Sequence, residues 1–147
     1  MISHEPIMRA LKKRLYENLP EFNTISRRFR TPANVSPPEM PALFIVEPNE
    51  QRVRSIEGLP EIAMLEIDLY FYIDAGQDPN DEPISAMNVL LDKIADALKP
   101  DYPEPLDQVC TLGGLVQHCW IEGTVEKDPG DLTGKGICRV PIKITVP

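Results

Sequence analysis

The sequence predicts an α+β fold. Two layers are expected, a four-stranded, mainly antiparallel sheet and helices on one of its faces, in the order α-β-β-α-β-β. Three observations carry this. Two segments repeat apolar residues every three to four positions, the spacing of an amphipathic helix. Two longer segments alternate apolar and polar residues, the spacing of a half-buried strand. Sixteen prolines in 147 residues fall mostly between these segments and mark their limits. The length suits one domain, 1–147, with extended loops at 20–41 and 48–61.

In chain order, Ile7, Leu11 and Leu15 recur every four residues with Met8 and Leu19 beside them, which predicts a helix over 4–18. Ser3 stands where an N-cap is expected and Pro20 ends the helix. Residues 20–41 show no sustained period and hold Arg27, Arg28 and Arg30, so they read as a long functional loop or as an arm ordered against a neighbour. Residues 42–47 read as a short buried strand. Residues 48–61 read as a long hairpin tip carrying Arg52 and Arg54.

Residues 62–73 alternate clearly. Leu65, Ile67, Leu69, Phe71 and Ile73 face one way; Glu66, Asp68, Tyr70 and Tyr72 face the other. A polar loop with Asp74, Asp78, Asp81 and Glu82 leads to a second helix over 82–98, started at Pro83 and spaced by Ile84, Met87, Leu91, Ile94 and Leu98. A third strand is expected over 115–126, with Leu115, Cys119, Ile121 and Val125 on one face and Val116, His118, Trp120 and Glu122 on the other. After a turn over 127–135, a fourth strand over 136–146 turns Cys138, Val140, Ile142, Ile144 and Val146 inward. Pro141 within it calls for an edge or a bulge. The sheet face away from the helices then mixes aromatic and charged residues, Tyr70, Tyr72 and Trp120 among them, as an interface does.

Net charge is −8, distributed as +2 over residues 1–60 and −10 over 61–147. Such a chain is not expected to coat nucleic acid, which needs clustered positive charge. The basic stretch from Arg9 to Arg30 suits either a solvated surface or an arm docking on an acidic partner. No run approaches the roughly 18 apolar residues of a membrane span. The charged start is not that of a secretory signal. Three cysteines, Cys110, Cys119 and Cys138, without a C-x-x-C pair, suit free, buried thiols in a reducing compartment.

Catalytic and ligand motifs do not stand out. No G-x-S-x-G elbow or phosphate-binding G-x-x-x-x-G-K-[ST] loop is present. His118 and Cys119 are neighbours in a strand and point to opposite faces, so they cannot share one ion locally. Asp74, Asp78, Asp81 and Glu82 lack the spacing and central glycine of a calcium loop and read as turn and helix start. No enzyme activity, cofactor or metal is expected.

The organisation nevertheless resembles a known family. An N-terminal helix, Ile7 to Leu19, precedes a proline-flanked short strand, Pro41 to Glu47. A long alternating strand, Ile62 to Asp74, ends in an acidic loop. A proline-initiated helix, Pro83 to Leu98, is followed by an I-E-G-T-V-E-K-D strand, a glycine-rich turn and a last strand, Ile121 to Pro147. This pattern resembles the tail terminator proteins of long-tailed bacteriophages over nearly the full length.

The resemblance implies a non-enzymatic virion protein, assembled in the host cytoplasm and located at the head-proximal end of the tail. As a homohexameric ring it would cap the tail tube, end polymerisation of the major tail tube protein and offer a surface to the head-completion protein. DNA would pass through without specific binding. Within that picture Arg27, Arg28, Arg30, Arg52, Arg54, Tyr70, Tyr72 and Trp120 are the expected interface residues. Asp74, Asp78, Asp81 and Glu82 are expected to face the lumen. Two other readings compete. One is a head-side neck or connector protein. The other is a small cytoplasmic α+β enzyme or ligand-binding domain using a cleft beside His118, Trp120 and Tyr70.

Overall fold

The structure is a computed structural model that describes residues 3–53, 62–101 and 109–146. Helix α1 spans His4–Asn18 and helix α2 spans Pro83–Ala97, close to the limits that periodicity sets. Ser3 occupies the N-cap position of α1 but makes no side-chain capping bond. Leu11 and Leu15 are fully buried, as are Met87 and Ile94 of α2. Burying one such side chain is worth about 1.5–3 kcal/mol over leaving it in water. These helix faces close over the sheet side formed by Leu65, Ile67, Leu69 and Phe71 together with Cys138, Val140, Ile142 and Ile144.

The sheet has six strands among the described residues, not the expected four. They are β1 (Thr24–Ser26), β2 (Ala42–Val53), β3 (Ile62–Asp74), β4 (His118–Ile121), β5 (Glu126–Asp128) and β6 (Lys135–Val146). The element order is therefore α-β-β-β-α-β-β-β. The lateral order is β1-β2-β3-β6-β4, with β5 also pairing β6. All pairs are antiparallel except β1 with β2. The alternation holds along β6 and along β3 from Ala63 to Phe71, with inward positions buried and outward ones partly exposed; Tyr72, an outward position, is buried as well.

Three departures from the sequence reading have identifiable causes. First, residues 20–41 are not structureless. They hold β1, which is only three residues long, and two 3₁₀ turns, Pro32–Asn34 and Pro37–Glu39. A strand of that length shows no period. The second turn is closed by a capping box in which Glu39 accepts from the Ser36 backbone N–H and hydroxyl.

Second, β2 runs on to Val53 where a hairpin tip was expected from residue 48. Its register with β3 shifts between Val46 and Asn49, around Pro48, and pairing then resumes through Val53 opposite Ile62. A proline cannot donate to a ladder, and a bulge there lets the strand continue. Arg54 and the rest of the tip, 54–61, lie outside the described residues.

Third, the expected strand over 115–126 is two short strands on the same side of β6. The break faces Pro141, whose carbonyl accepts from the Glu122 N–H at 3.2 Å and which has no N–H to return. Pro141 thus sits inside a central strand, at the gap between β4 and β5 rather than at an edge. Gly123 crosses this gap at φ +120, and a Cβ there would come within 3.1 Å of the Pro141 ring. Within the segment Leu115 is exposed and Val116 buried, the reverse of the expected faces, because the chain before His118 is a turn and not strand.

Candidate interaction surface

The sheet face away from the helices is the first candidate, and its two ends differ. At one end the segment 27–41 folds over the sheet and builds a second, smaller core of Val35, Met40, Ala42, Phe44 and Tyr72. Tyr72 was expected on an open face to meet a partner. It is 1% exposed, and its hydroxyl donates to the Arg30 carbonyl at 2.7 Å. Its own chain already covers it.

Burial pushes the Tyr72 phenol up to about 12, with the neighbouring Tyr70 adding to the shift. The folded value exceeds the ordinary 10, so this stability is complete below pH 10 and fades as pH rises from there to about 12. Alkaline denaturation followed by circular dichroism should show that loss in the wild type. Tyr72→Phe should show less of it, and an unchanged alkaline slope would contradict the assignment.

The arginines of the basic stretch also serve their own fold. Arg27 bridges Glu5 at 2.8 Å and Glu47 at 2.7 Å, tying α1 to β2 through the 20–41 segment. Those two carboxylates hold its guanidinium firmly protonated, and Arg27 in turn lowers the Glu5 carboxyl below its usual range. Arg30 pairs with Glu39 at 2.8 Å and lies 5.5 Å over the Phe44 ring. Arg28 is exposed, and among the described residues its side chain makes no ion pair. Arg52 is exposed and lies 3.4 Å from Glu50. Of the expected basic contacts among the described residues, Arg28 and Arg52 are therefore the exposed ones.

Tyr70 and Trp120 are half-buried. Tyr70 meets the exposed Phe29 edge-on at 5.1 Å, and Trp120 stacks on His118 at 4.7 Å. Between them runs an open cleft of about 380 Å³ lined by Glu66, Asp68, Glu122, Glu126, Arg139 and Lys143. Its cations are matched inside the cleft: Lys143 to Glu122 at 2.7 Å, and Arg139 to Asp68 at 3.4 Å and Glu126 at 3.6 Å. Four carboxylates face two cations there, so the open cleft is net negative and both of its cations are already paired.

His118 and the thiols were the remaining chemical candidates. The His118 Nδ1 accepts the Cys110 N–H at 3.1 Å, and burial lowers the ring's pKa. Cys110 and Cys119 are both fully buried, and their thiols interact. That interaction lowers the pKa of Cys110 and raises that of Cys119, with burial adding to the rise. Next to them, the Asp101 carboxylate accepts from the Thr111 N–H and hydroxyl and the Gly113 N–H, at 2.9 to 3.2 Å. Arg14 stands 3.6 Å away. This knot fastens the chain after α2 to α1 and to the approach of β4.

Burial would raise the Asp101 carboxyl, but its hydrogen bonds from Thr111 and Gly113 outweigh that and hold it below 3.8. A lowered carboxylate stabilises above its unfolded pKa, and the effect is lost as pH falls through the folded one. Asp101→Asn should therefore be less stable than wild type at neutral pH, and the gap should close below the ordinary carboxylate range. A gap that stays constant down to pH 2, by urea denaturation, would contradict this.

The second candidate is the end of the sheet where β3 stops and β6 begins. Asp74 and Asp78 each accept a backbone N–H two residues on, from Gly76 and Asn80. The Ala75 N–H donates to the Gly134 carbonyl at 2.9 Å, which ties this acidic loop to the turn before β6. Glu82 precedes Pro83 at the start of α2, and its side chain makes no capping bond. Asp74, Asp78, Asp81, Glu82 and Asp131 thus gather at one end of the molecule, all exposed. Beside them Leu132 is 99% exposed, a feature that sequence reading passed over.

No helix among the described residues is long and apolar enough to cross a membrane. Among those residues no group of three or more His, Cys, Asp or Glu side chains is placed to hold a metal ion.

No family model and no curated protein sequence matches the chain. Among solved structures it matches a chain of the virion of a native gene transfer agent particle, covering 98% of both chains, with a TM-score of 0.53 and 14% identity. At that identity the likeness is one of fold: the chain has the α+β fold of a protein found in a gene transfer agent virion.

Proposed function

We propose that this chain is a non-enzymatic structural protein of a phage-like particle, and that it acts there as a tail terminator. The observation that carries the reading is the fold shared, over 98% of both chains, with a gene transfer agent virion component. The order of elements that resembles tail terminators agrees with it, and so does an outer cleft that is open and whose cations are already paired.

In this role copies of the chain form a hexameric ring on the last ring of the tail tube. The ring stops the major tail tube protein from adding and receives the head-completion protein. The acidic end with Asp74, Asp78, Asp81 and Glu82 faces the lumen. DNA phosphates find no cations to hold them there and slide through. Exposed Arg28 and Arg52, with half-buried Tyr70 and Trp120, supply contacts to neighbouring subunits. The protein assembles in the host cytoplasm and stays at the head-proximal end of the tail.

The test is electron microscopy of a lysate after deletion of the gene from the phage or prophage that encodes it. Overlong, headless tubes are the expected result. Tails of normal length beside leaking heads would move the protein to the neck on the head side. Intact, infectious particles would overturn both assembly roles.

A further inference from the structure

We infer that Leu132 is an assembly knob that enters a socket on α1 of a second copy of this chain, so that copies join head to tail. The inference rests on the ring reading above and names the contact that would build it.

The knob is rigid. Its turn is closed by the Gly134 N–H donating to the Gly130 carbonyl at 2.8 Å, and it is tied to the neighbouring loop through Ala75. The Gly130 N–H donates to Asp128 at 3.0 Å, and the Thr133 hydroxyl donates to the Lys135 carbonyl at 3.1 Å. A hairpin turn needs glycine and polar residues, and nothing in its geometry calls for a leucine at the tip. Here a leucine is held 99% exposed by a turn that cannot fold it back. Beside it a cleft of about 430 Å³ is lined by Asp78, Asp81 and Asp131. Among the described residues none of these three pairs with a cation.

The complementary surface lies on the same chain. A cleft of about 310 Å³ has Ala10 and Leu112 among its lining and Lys13 and Arg14 at its rim, with Glu17 beside them. The Lys13 side chain is 75% exposed and only loosely paired, 3.9 Å from Glu17. An apolar tip beside the unpaired Asp131 carboxylate, at the edge of the lumen-facing acidic loop, thus matches a partly apolar hollow flanked by an ammonium group.

A molecule cannot fill its own socket. The knob's cleft includes Pro83, at the N-terminal end of α2. The socket lies by the C-terminal end, where Arg14 donates to the Ala97 carbonyl at 2.7 Å. The fifteen residues of α2 separate them by about 22 Å. Two different patches that fit each other make a heterologous contact, which repeats into a closed ring when the rotation closes.

The test uses Leu132→Cys and Lys13→Cys, alone and together, with a short bismaleimide, on concentrated purified protein and on lysates containing assembled particles. Cys110, Cys119 and Cys138 are buried and stay out of the reaction. The double variant should give a ladder ending in a closed oligomer, with peptides joining positions 132 and 13. Each single variant should give no dimer, and their equimolar mixture should stop at the dimer. Leu132→Asp should keep the wild-type melting temperature and weaken self-association by about ten- to a hundredfold in sedimentation velocity. Oligomers without a 132–13 link, Leu132→Cys joined to itself, or a link from 132 to another protein would overturn the contact and leave the ring reading standing. A chain that stays monomeric in both settings would count against both.

Discussion

Gly130→Ala is expected to destabilise the protein by about 2–5 kcal/mol, far more than one added methyl group suggests. Two effects add. Gly130 has φ +81, a conformation that costs an L-residue about 1–2 kcal/mol. A Cβ there would also lie 2.4 Å from the Lys135 carbonyl carbon, 2.5 Å from its oxygen and 2.6 Å from the Gly136 nitrogen. These are backbone atoms of β6, so relief means moving the strand, at about 1–3 kcal/mol. Gly113→Ala is the internal control: φ is +79, but nothing lies within 4 Å of its Cβ position. It should cost only the conformational part. Urea denaturation of the two variants measures the difference, and equal losses would contradict this reading of the turn. Since the same turn holds Leu132, Gly130→Ala should also impair self-association.

Phe44→Ala is expected to cost about 3–5 kcal/mol and to release the segment 27–41 from the sheet. The Phe44 ring is fully buried, 5.3 Å from the Tyr72 ring and 6.1 Å from the Phe29 ring, with the Arg30 guanidinium on its face. Its loss opens a cavity where the smaller core meets the sheet. Around it the segment has polar ties: Tyr72 donates to the Arg30 carbonyl, and the Lys135 ammonium to the carbonyls of Pro32 and Val35 at 2.8 and 3.2 Å. Without the apolar centre these become accessible to water and weaken. Limited trypsin digestion should then cut at Arg28 and Arg30 long before the rest of the chain. Cleavage first in the helices would show that the smaller core does not hold this segment. Tyr72→Phe removes one hydrogen bond and keeps the packing, so it should cost only about 1 kcal/mol.

These two sites also mark the limits of what the chain's order of residues discloses. Both helices and the inward faces of β3 and β6 are legible because each repeats its period over ten or more residues. β1 has three residues and no period to read. The smaller core escapes for a related reason: Val35 and Met40 are isolated apolar residues among prolines, and only the fold sets them against Phe44 and Tyr72. The arginines mislead in the opposite direction. Arg27 looks available in sequence, yet its partners Glu5 and Glu47 lie 22 and 20 positions away. The break between β4 and β5 was signalled by Pro141, but a proline tells that a donor is missing without telling which neighbour lacks it. Leu132 carried a usable signal, an apolar residue in a turn that has no structural need of one.

The central proposal is a place in a particle, so its most direct test is location. The chain, tagged and confirmed to support particle production, can be followed by gold labelling and electron microscopy of intact particles and free tails. Label should sit at a single end of each tail, the head-proximal one, and on tails that have not yet joined a head. Label on head vertices that lack tails, along the tube, or on no particle at all would contradict the tail-terminator role.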